Sequence, residues 1–155
     1  MSRGARGFTL LEMAMVLLII AVGSALVVPM IEGGFDNREV RRAARQLAAT
    51  MHYCRGEAVA LGKPQELVID AVQNTVRTSG GRSGALSDRA VIERIQGGFE
   101  PEQGIAQILF YPNGSTTGVD VLLASRRDRA QGGQNRILVH LDPLVGTVAV
   151  RDATP

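Results

Sequence analysis

The side chains that could act as nucleophiles or metal ligands are few: His52, His140 and Cys54, the one cysteine. His52 and Cys54 lie two positions apart in a helical pattern and point to different faces, whereas His140 lies in a distant strand pattern. A pairing in space stays open. The zinc, redox and nucleophile motifs HExxH, CxxC and GxSxG are absent, and residues 80–84 lack the lysine of a phosphate-binding loop. We therefore predict no catalytic residue, no metal site and no cofactor.

Glu12 stands in an unusual setting, because it is the only ionisable residue between Arg6 and Glu32. An unbroken apolar run over residues 13–31 follows it, and the 21 residues 8–28 would reach about 31 Å as a helix, enough to span a membrane. A charge within such a span costs about 2.5–3.5 kcal/mol. The Glu12 carboxylate therefore needs a partner.

The stretch Gly7-Phe8-Thr9-Leu10-Leu11-Glu12 resembles the class III signal of type IV pilins and type II secretion pseudopilins. The resemblance implies that a prepilin peptidase cuts after Gly7 and methylates the amine of Phe8, leaving 155 − 7 = 148 residues. It makes Glu12 the fifth mature residue, and it implies that Phe8 and Glu12 serve subunit assembly. A secretory signal or a plain membrane anchor would explain the apolar run, but not an acid at its start.

The charges flanking the apolar run do not fix its orientation. Arg3 and Arg6 precede it, four arginines follow it closely, and the counting rule favours the reverse of the family's orientation. We therefore take the orientation from the family resemblance. It implies a single-pass protein of the bacterial inner membrane with a cytoplasmic leader and a periplasmic head.

The remaining patterns predict an α+β fold. We expect a leader at residues 1–7, a transmembrane and assembly helix at 8–31 and a head at 32–155, with Gly33 and Gly34 loosening the helix. In the head, an amphipathic helix over 36–61 precedes a β-rich region over 66–151 with antiparallel strands. The apolar stripe of that helix comprises Val40, Ala44, Leu47, Met51, Cys54, Ala58 and Leu61. The helix should pack on the sheet through this stripe.

A second resemblance lies near the C-terminus. Residues 110–118, FYPNGSTTG, and residues 139–146, VHLDPLVG, look like the signatures of the GspH/FimT group of minor pseudopilins and pilins, with departures at Asn113, Val119 and Val145. The group implies a minor pseudopilin, a structural subunit of the type II secretion pseudopilus, or alternatively a minor type IV pilin of FimT type in pilus priming or DNA uptake. The implied partners are major and minor pseudopilins, the prepilin peptidase, the assembly platform and exported substrates.

Arg126, Arg127, Arg129 and Arg136 surround a Gly-rich loop over residues 129–135. They could form a weak anion or DNA patch, or merely a solvated hairpin tip. The formal net charge of +2, from 17 basic and 15 acidic residues, makes no strong case for nucleic acid. The C-terminal end also lacks the basic motif of DNA-binding relatives. The solvated loop is therefore the favoured interpretation.

Overall fold

A computed structural model describes residues 9–131 and 135–153, without the side chains of residues 25–36, 101 and 131. Within these residues a long helix, α1 (Leu10–Leu61), precedes the strands β1 to β9, and a short helix, α2 (Arg126–Gln131), lies between β7 and β8. The chain divides into two compact units, of which one ends at Phe35 and the other begins at Asp36.

Helix α1 is assigned without interruption from Leu10 to Leu61, so the predicted loosening at Gly33 and Gly34 does not end the helix. A glycine costs only about 1 kcal/mol in a helix interior, so this pair need not end a long helix. The predicted transmembrane helix over residues 8–31 begins at Phe8, outside the described residues. Within the part of the chain that the structure describes, no helix combines the length and the hydropathy that a membrane crossing requires.

The second half of α1 is amphipathic, as its spacing predicts. From Val40 to Ala58 the predicted stripe is buried, but Leu61 is 57% exposed, so its assignment to the core was wrong. Leu61 is the last helical residue, and Gly62, with a φ of +62°, turns the chain away there.

The strands form two antiparallel sheets. The first has the order β3-β2-β1-β6-β5. Its strands are β1 (Gln65–Asp70), β2 (Thr75–Thr78), β3 (Ser83–Ala85), β5 (Phe99–Glu102) and β6 (Ile105–Phe110). Strands β1 and β2 form a hairpin around Gln73 and Asn74, because β1 pairs with β2 from Leu67 opposite Thr78 to Asp70 opposite Thr75.

The second sheet has the order β4-β7-β8-β9. Its strands are β4 (Ala90–Gly97), β7 (Val119–Ser125), β8 (Arg136–Leu141) and β9 (Val148–Ala153). Burial alternates along β6 and β8, so that each of these strands turns one face inward.

One apolar cluster joins the second half of α1 to both sheets. Its fully buried side chains include Leu47 and Met51 of α1, Ile69 and Ile108 of the first sheet, and Val139 of the second. The predicted α+β class, with a long N-terminal helix and an antiparallel β head, is confirmed.

Candidate assembly site

Thr9 caps the first turn of α1, the turn that carries Glu12. The Thr9 hydroxyl accepts a hydrogen bond from the backbone N–H of Glu12 at 3.2 Å, and the Thr9 carbonyl accepts another from Met13. Threonine followed three residues later by glutamate is the capping-box pattern, and an acid in the first turn is also favoured by the helix dipole. The cap fixes where the Glu12 backbone lies at the start of the helix.

The helix that follows this cap presents apolar side chains all round. Every side chain from residue 9 to residue 24 is exposed, and Leu10 reaches 89%. A helix that is apolar on every side is typically covered by other helices or by lipid. Gly7 and Phe8 lie outside the described residues, so cleavage, methylation and the pairing of Phe8 with Glu12 stay predictions.

The first signature forms a tight turn after β6. The N–H of Gly114 donates to the Tyr111 carbonyl at 2.9 Å, and the N–H of Tyr111 donates to the Ser115 carbonyl, also at 2.9 Å. The Asn113 side chain accepts bonds from the N–H and the hydroxyl of Ser115, at 3.1 and 2.7 Å. Asn113 thus performs the backbone capping that the usual aspartate of the signature would perform.

The second signature forms the turn between β8 and β9. The Asp142 carboxylate accepts the backbone N–H groups of Leu144 and Val145, at 2.8 and 2.9 Å. These two hydrogen bonds hold the pKa of Asp142 below its usual value, and the bond from Val145 has the larger effect. The aspartate is therefore a turn former.

The two turns contact each other and α1, in an arrangement that we call the turn junction. Thr116 donates its N–H to the Pro143 carbonyl at 2.8 Å and its hydroxyl to the Asp142 carbonyl at 3.2 Å. Arg55 of α1 donates from Nε to the Gly114 carbonyl at 3.2 Å. Signatures about 30 residues apart in the sequence thus form one structural unit in the head.

The predicted arginine patch is rearranged. Arg126 and Arg127 open α2 and line a shallow cavity of about 310 Å³ together with Arg89 and Asp88. Arg126 Nε donates to the Asp88 carbonyl at 3.0 Å. Arg129 is exposed on the same short helix. Arg89 was not anticipated as a member, since it is distant in sequence from the other arginines.

Arg136 lies apart from that cavity and forms an ion pair with Glu93. Arg136 Nε and Nη2 reach the two Glu93 carboxylate oxygens at 2.7 and 3.1 Å, with side chains 21% and 23% exposed. The hydrogen bond from Arg136 lowers the pKa of Glu93. Arg136 therefore links β8 to β4, across β7.

The possible nucleophiles occupy three different settings. Cys54 is buried in the core, where desolvation raises the pKa of its thiol to about 11. His52 is exposed on α1, and His140 Nδ1 lies 2.5 Å from Asp120 on neighbouring strands. Among the described residues, no three His, Cys, Asp or Glu side chains are grouped closely enough to hold a metal ion.

Two solved structures share this fold. The minor pseudopilin EpsH of the Vibrio cholerae type 2 secretion system matches with a TM-score of 0.59 at 13% identity, covering 77% of this chain and 97% of that chain. The type IV minor pilin FimU of Pseudomonas aeruginosa matches with a TM-score of 0.52 at 13% identity, covering 74% of this chain and 96% of that chain. The chain therefore has a pilin-like fold.

Sequence comparison assigns the family within that class. The prokaryotic N-terminal methylation motif matches residues 2–28, and the type II transport protein GspH model matches residues 43–143. The type II secretion system protein H of Xanthomonas campestris pv. campestris is 33% identical over 135 residues, covering 84% of this chain and 79% of the relative. The chain belongs to the GspH family and is a minor pseudopilin.

Proposed function

We propose that this minor pseudopilin is a structural subunit of the periplasmic pseudopilus of a type II protein secretion system. The observation that carries the proposal is the N-terminal segment, where Glu12 occupies a capped first turn ahead of an apolar helix whose side chains are exposed as far as residue 24. A surface of that kind favours burial among similar helices or in lipid, since apolar area gains about 25 cal/mol per Å² when removed from water.

We further propose a location. Residues 8–31 anchor the chain once in the inner membrane, with the leader over residues 1–7 in the cytoplasm and the head over 32–155 in the periplasm. The methylation motif matched over residues 2–28 supports this orientation. The arginines on both sides of the apolar run do not decide it.

We propose that the pairing of two opposite charges directs the assembly of the subunits. After cleavage behind Gly7, the methylated amine of Phe8 is a cation and neutralises the Glu12 carboxylate of an adjacent subunit among packed apolar helices. Breaking a buried pair by removing one partner costs about 3–5 kcal/mol. The pairing therefore favours the axial stagger that brings one Phe8 level with a neighbour's Glu12.

The chain thus acts by assembly and not as an enzyme. Its partners are other major and minor pseudopilins, the prepilin peptidase and the inner-membrane assembly platform, and exported substrates are a further class of contact. The separate settings of Cys54 and His140 support a role without catalysis.

The experiment replaces Gly7 by valine in a strain that lacks the chromosomal copy. A branched side chain beside the cut hinders the peptidase, so Gly7→Val should keep its leader and fail to restore secretion. Gly4→Val, within the leader but away from the cut, is the matched control and should be processed normally. A mature N-terminus at Phe8 in Gly7→Val, read by mass spectrometry of membranes, would refute the processing.

A second candidate function is that of a minor type IV pilin of FimT type, serving pilus priming or DNA uptake. The convergence of Arg126 and Arg127 with Arg89 favours it, and the fold likeness to FimU is consistent with it. This alternative requires that DNA binds at the cavity lined by Arg89, Arg126 and Arg127, which we call the arginine cavity.

A further inference from the structure

The first sheet has an outer face that points away from the core. Cross-strand register places Arg77, Val68, Gln107 and Phe99 in one row across four strands, and Thr75, Asp70, Ile105 and Glu102 in the next. Directly opposed residues of an antiparallel pair share a face. The alternate residues of β1 and β6, such as Ile69 and Ile108, are buried toward α1.

The outer face is concave and partly apolar. Two depressions of about 440 and 360 Å³ adjoin there and share Val68, Arg77 and Ile105 in their walls. Phe99 ends one row and is 63% exposed. Aromatic side chains beside shallow apolar depressions are typical anchor points of protein interfaces.

The charge of the outer face is opposite to that of the whole chain. Glu66, Asp70 and Glu102 line the depressions against the single guanidinium of Arg77, although the chain carries a formal net charge of +2. The lining is therefore net negative, with apolar side chains between the charges.

Two of these carboxylates are held in place by neutral donors. Glu66 accepts from the Gln107 amide at 2.6 Å, and Asp70 accepts the N–H groups of Val72 and Gln73, both at 2.8 Å. Neutral donors orient a carboxylate without cancelling its charge. The outer face thus presents the fixed carboxylates of Glu66 and Asp70 beside the apolar side chains of Val68 and Ile105.

We infer that the outer face docks a cationic segment of a neighbouring pseudopilin, one that carries arginine or lysine beside apolar side chains. The inference rests on the proposed function, since members of this family associate with other pseudopilins. Charge complementarity selects the occupant: a cationic segment gains from the carboxylates, whereas an acidic one would face like charge. Such contacts weaken with salt.

The test uses the full chain in membranes of a strain that carries its secretion system. A photoreactive phenylalanine analogue replaces Phe99, and a second protein carries it at Leu144, which is 82% exposed on the turn between β8 and β9. We expect the Phe99 position to crosslink to another pseudopilin, through a peptide containing at least two arginines or lysines.

Charge is then removed without changing shape. The triple variant Glu66→Gln, Asp70→Asn and Glu102→Gln keeps the hydrogen-bond acceptors and should lower the Phe99 crosslink at least fivefold. Neutralising Glu39 and Glu57 of α1 instead is the matched control and should leave it unchanged. Unaltered processing and protease resistance would establish that the variants fold.

Three outcomes would overturn the inference: a crosslinked peptide without basic residues, crosslinks only between two copies of this chain, or full crosslinking by the triple variant. Failure of the proposed function looks different. In that case deleting the chain would leave secretion intact, whatever the crosslinks show.

Discussion

Arg55 Nε, on α1, donates a hydrogen bond to the carbonyl oxygen of Gly114 at 3.2 Å. The same guanidinium lies against Gly146, where an added Cβ would meet Arg55 Nε at 2.8 Å and would overlap the Gly114 carbonyl. One helix side chain therefore lies beside both signature turns. The glycine of the second turn is required by space as well as by its φ of +66°.

Gly146→Ala should destabilise the head by about 3 kcal/mol or more, because a left-handed backbone costs a non-glycine residue about 1–2 kcal/mol and the overlap adds to this. Gly62→Ala is the control, since Gly62 has a similar φ of +62° but nothing within 4 Å of an added Cβ. It should cost only about 1–2 kcal/mol. Urea unfolding of the two variants measures the difference, and equal losses would show that the turn junction is not tightly packed.

Substitutions at the N-terminus separate the charge of Glu12 from its place in the cap. Glu12→Gln keeps a residue suited to the capping box but removes the charge, whereas Thr9→Val removes the hydroxyl that caps the helix. We expect Glu12→Gln and Glu12→Ala to insert normally and to lose crosslinking to other pseudopilins, by a hundredfold or more if about 3–5 kcal/mol is lost. Thr9→Val should have a much smaller effect, of about 1 kcal/mol.

Two measurements apply to each of these N-terminal variants: crosslinking to other pseudopilins in membranes, and an assay of secretion. Wild-type assembly by Glu12→Gln would remove the proposed role of its charge. Loss of insertion would instead mean that Glu12 acts before assembly.

The arginine cavity distinguishes the two candidate functions. Replacing Arg126, Arg127 and Arg129 by alanine should leave secretion intact if these side chains do not bind nucleic acid. Replacing Arg38 and Arg42 of α1 is the control for general charge loss. DNA retention by the wild-type chain at physiological salt, falling steeply as salt rises and absent from the triple variant, would favour the uptake pilin instead.

The pair of Glu93 and Arg136 should make stability depend on pH. The pKa of Glu93 is lowered in the folded state. The ion pair therefore adds to the free energy of unfolding above the pKa of a glutamate in the unfolded chain, and this contribution is lost as the pH falls through the pKa of Glu93 in the folded chain. Between pH 6 and pH 3, wild type should lose about 1 kcal/mol more than Glu93→Gln. Asp152→Asn, at the more exposed pair with Arg41, is the control and should change this loss little. Identical pH profiles for wild type and Glu93→Gln would contradict the prediction.

Much of the fold was predictable where a pattern is local. The spacing from Val40 to Ala58 identifies the buried face of α1, and the strand runs around Gln73 and Asn74 identify the first hairpin. Strand β5 is hard to predict because Pro101 interrupts its pattern, and a proline is tolerated there at the edge of the sheet. The division of the strands between two sheets depends on long-range pairing, which no local pattern encodes.

The site was predictable in its residues but not in its contacts. The threonine and glutamate spacing at Thr9 and Glu12 would have indicated the cap. The predicted loop over residues 129–135 begins instead inside helix α2 (Arg126–Gln131), whose arginine-rich sequence lacks apolar periodicity. Ser125 caps this helix by accepting the Asp128 N–H at 2.9 Å. The partner of Arg136 could not be foreseen because Glu93 lies 43 residues away.

The turn junction also bears on how the head matures. A disulfide within the head would need two cysteines, but this sequence has one, and Cys54 is buried in the core. Arg55 and Thr116 instead join the two signature turns to α1 and to each other by hydrogen bonds. The head can therefore complete its fold without an oxidant or a disulfide isomerase, at a rate set by chain folding rather than by thiol chemistry.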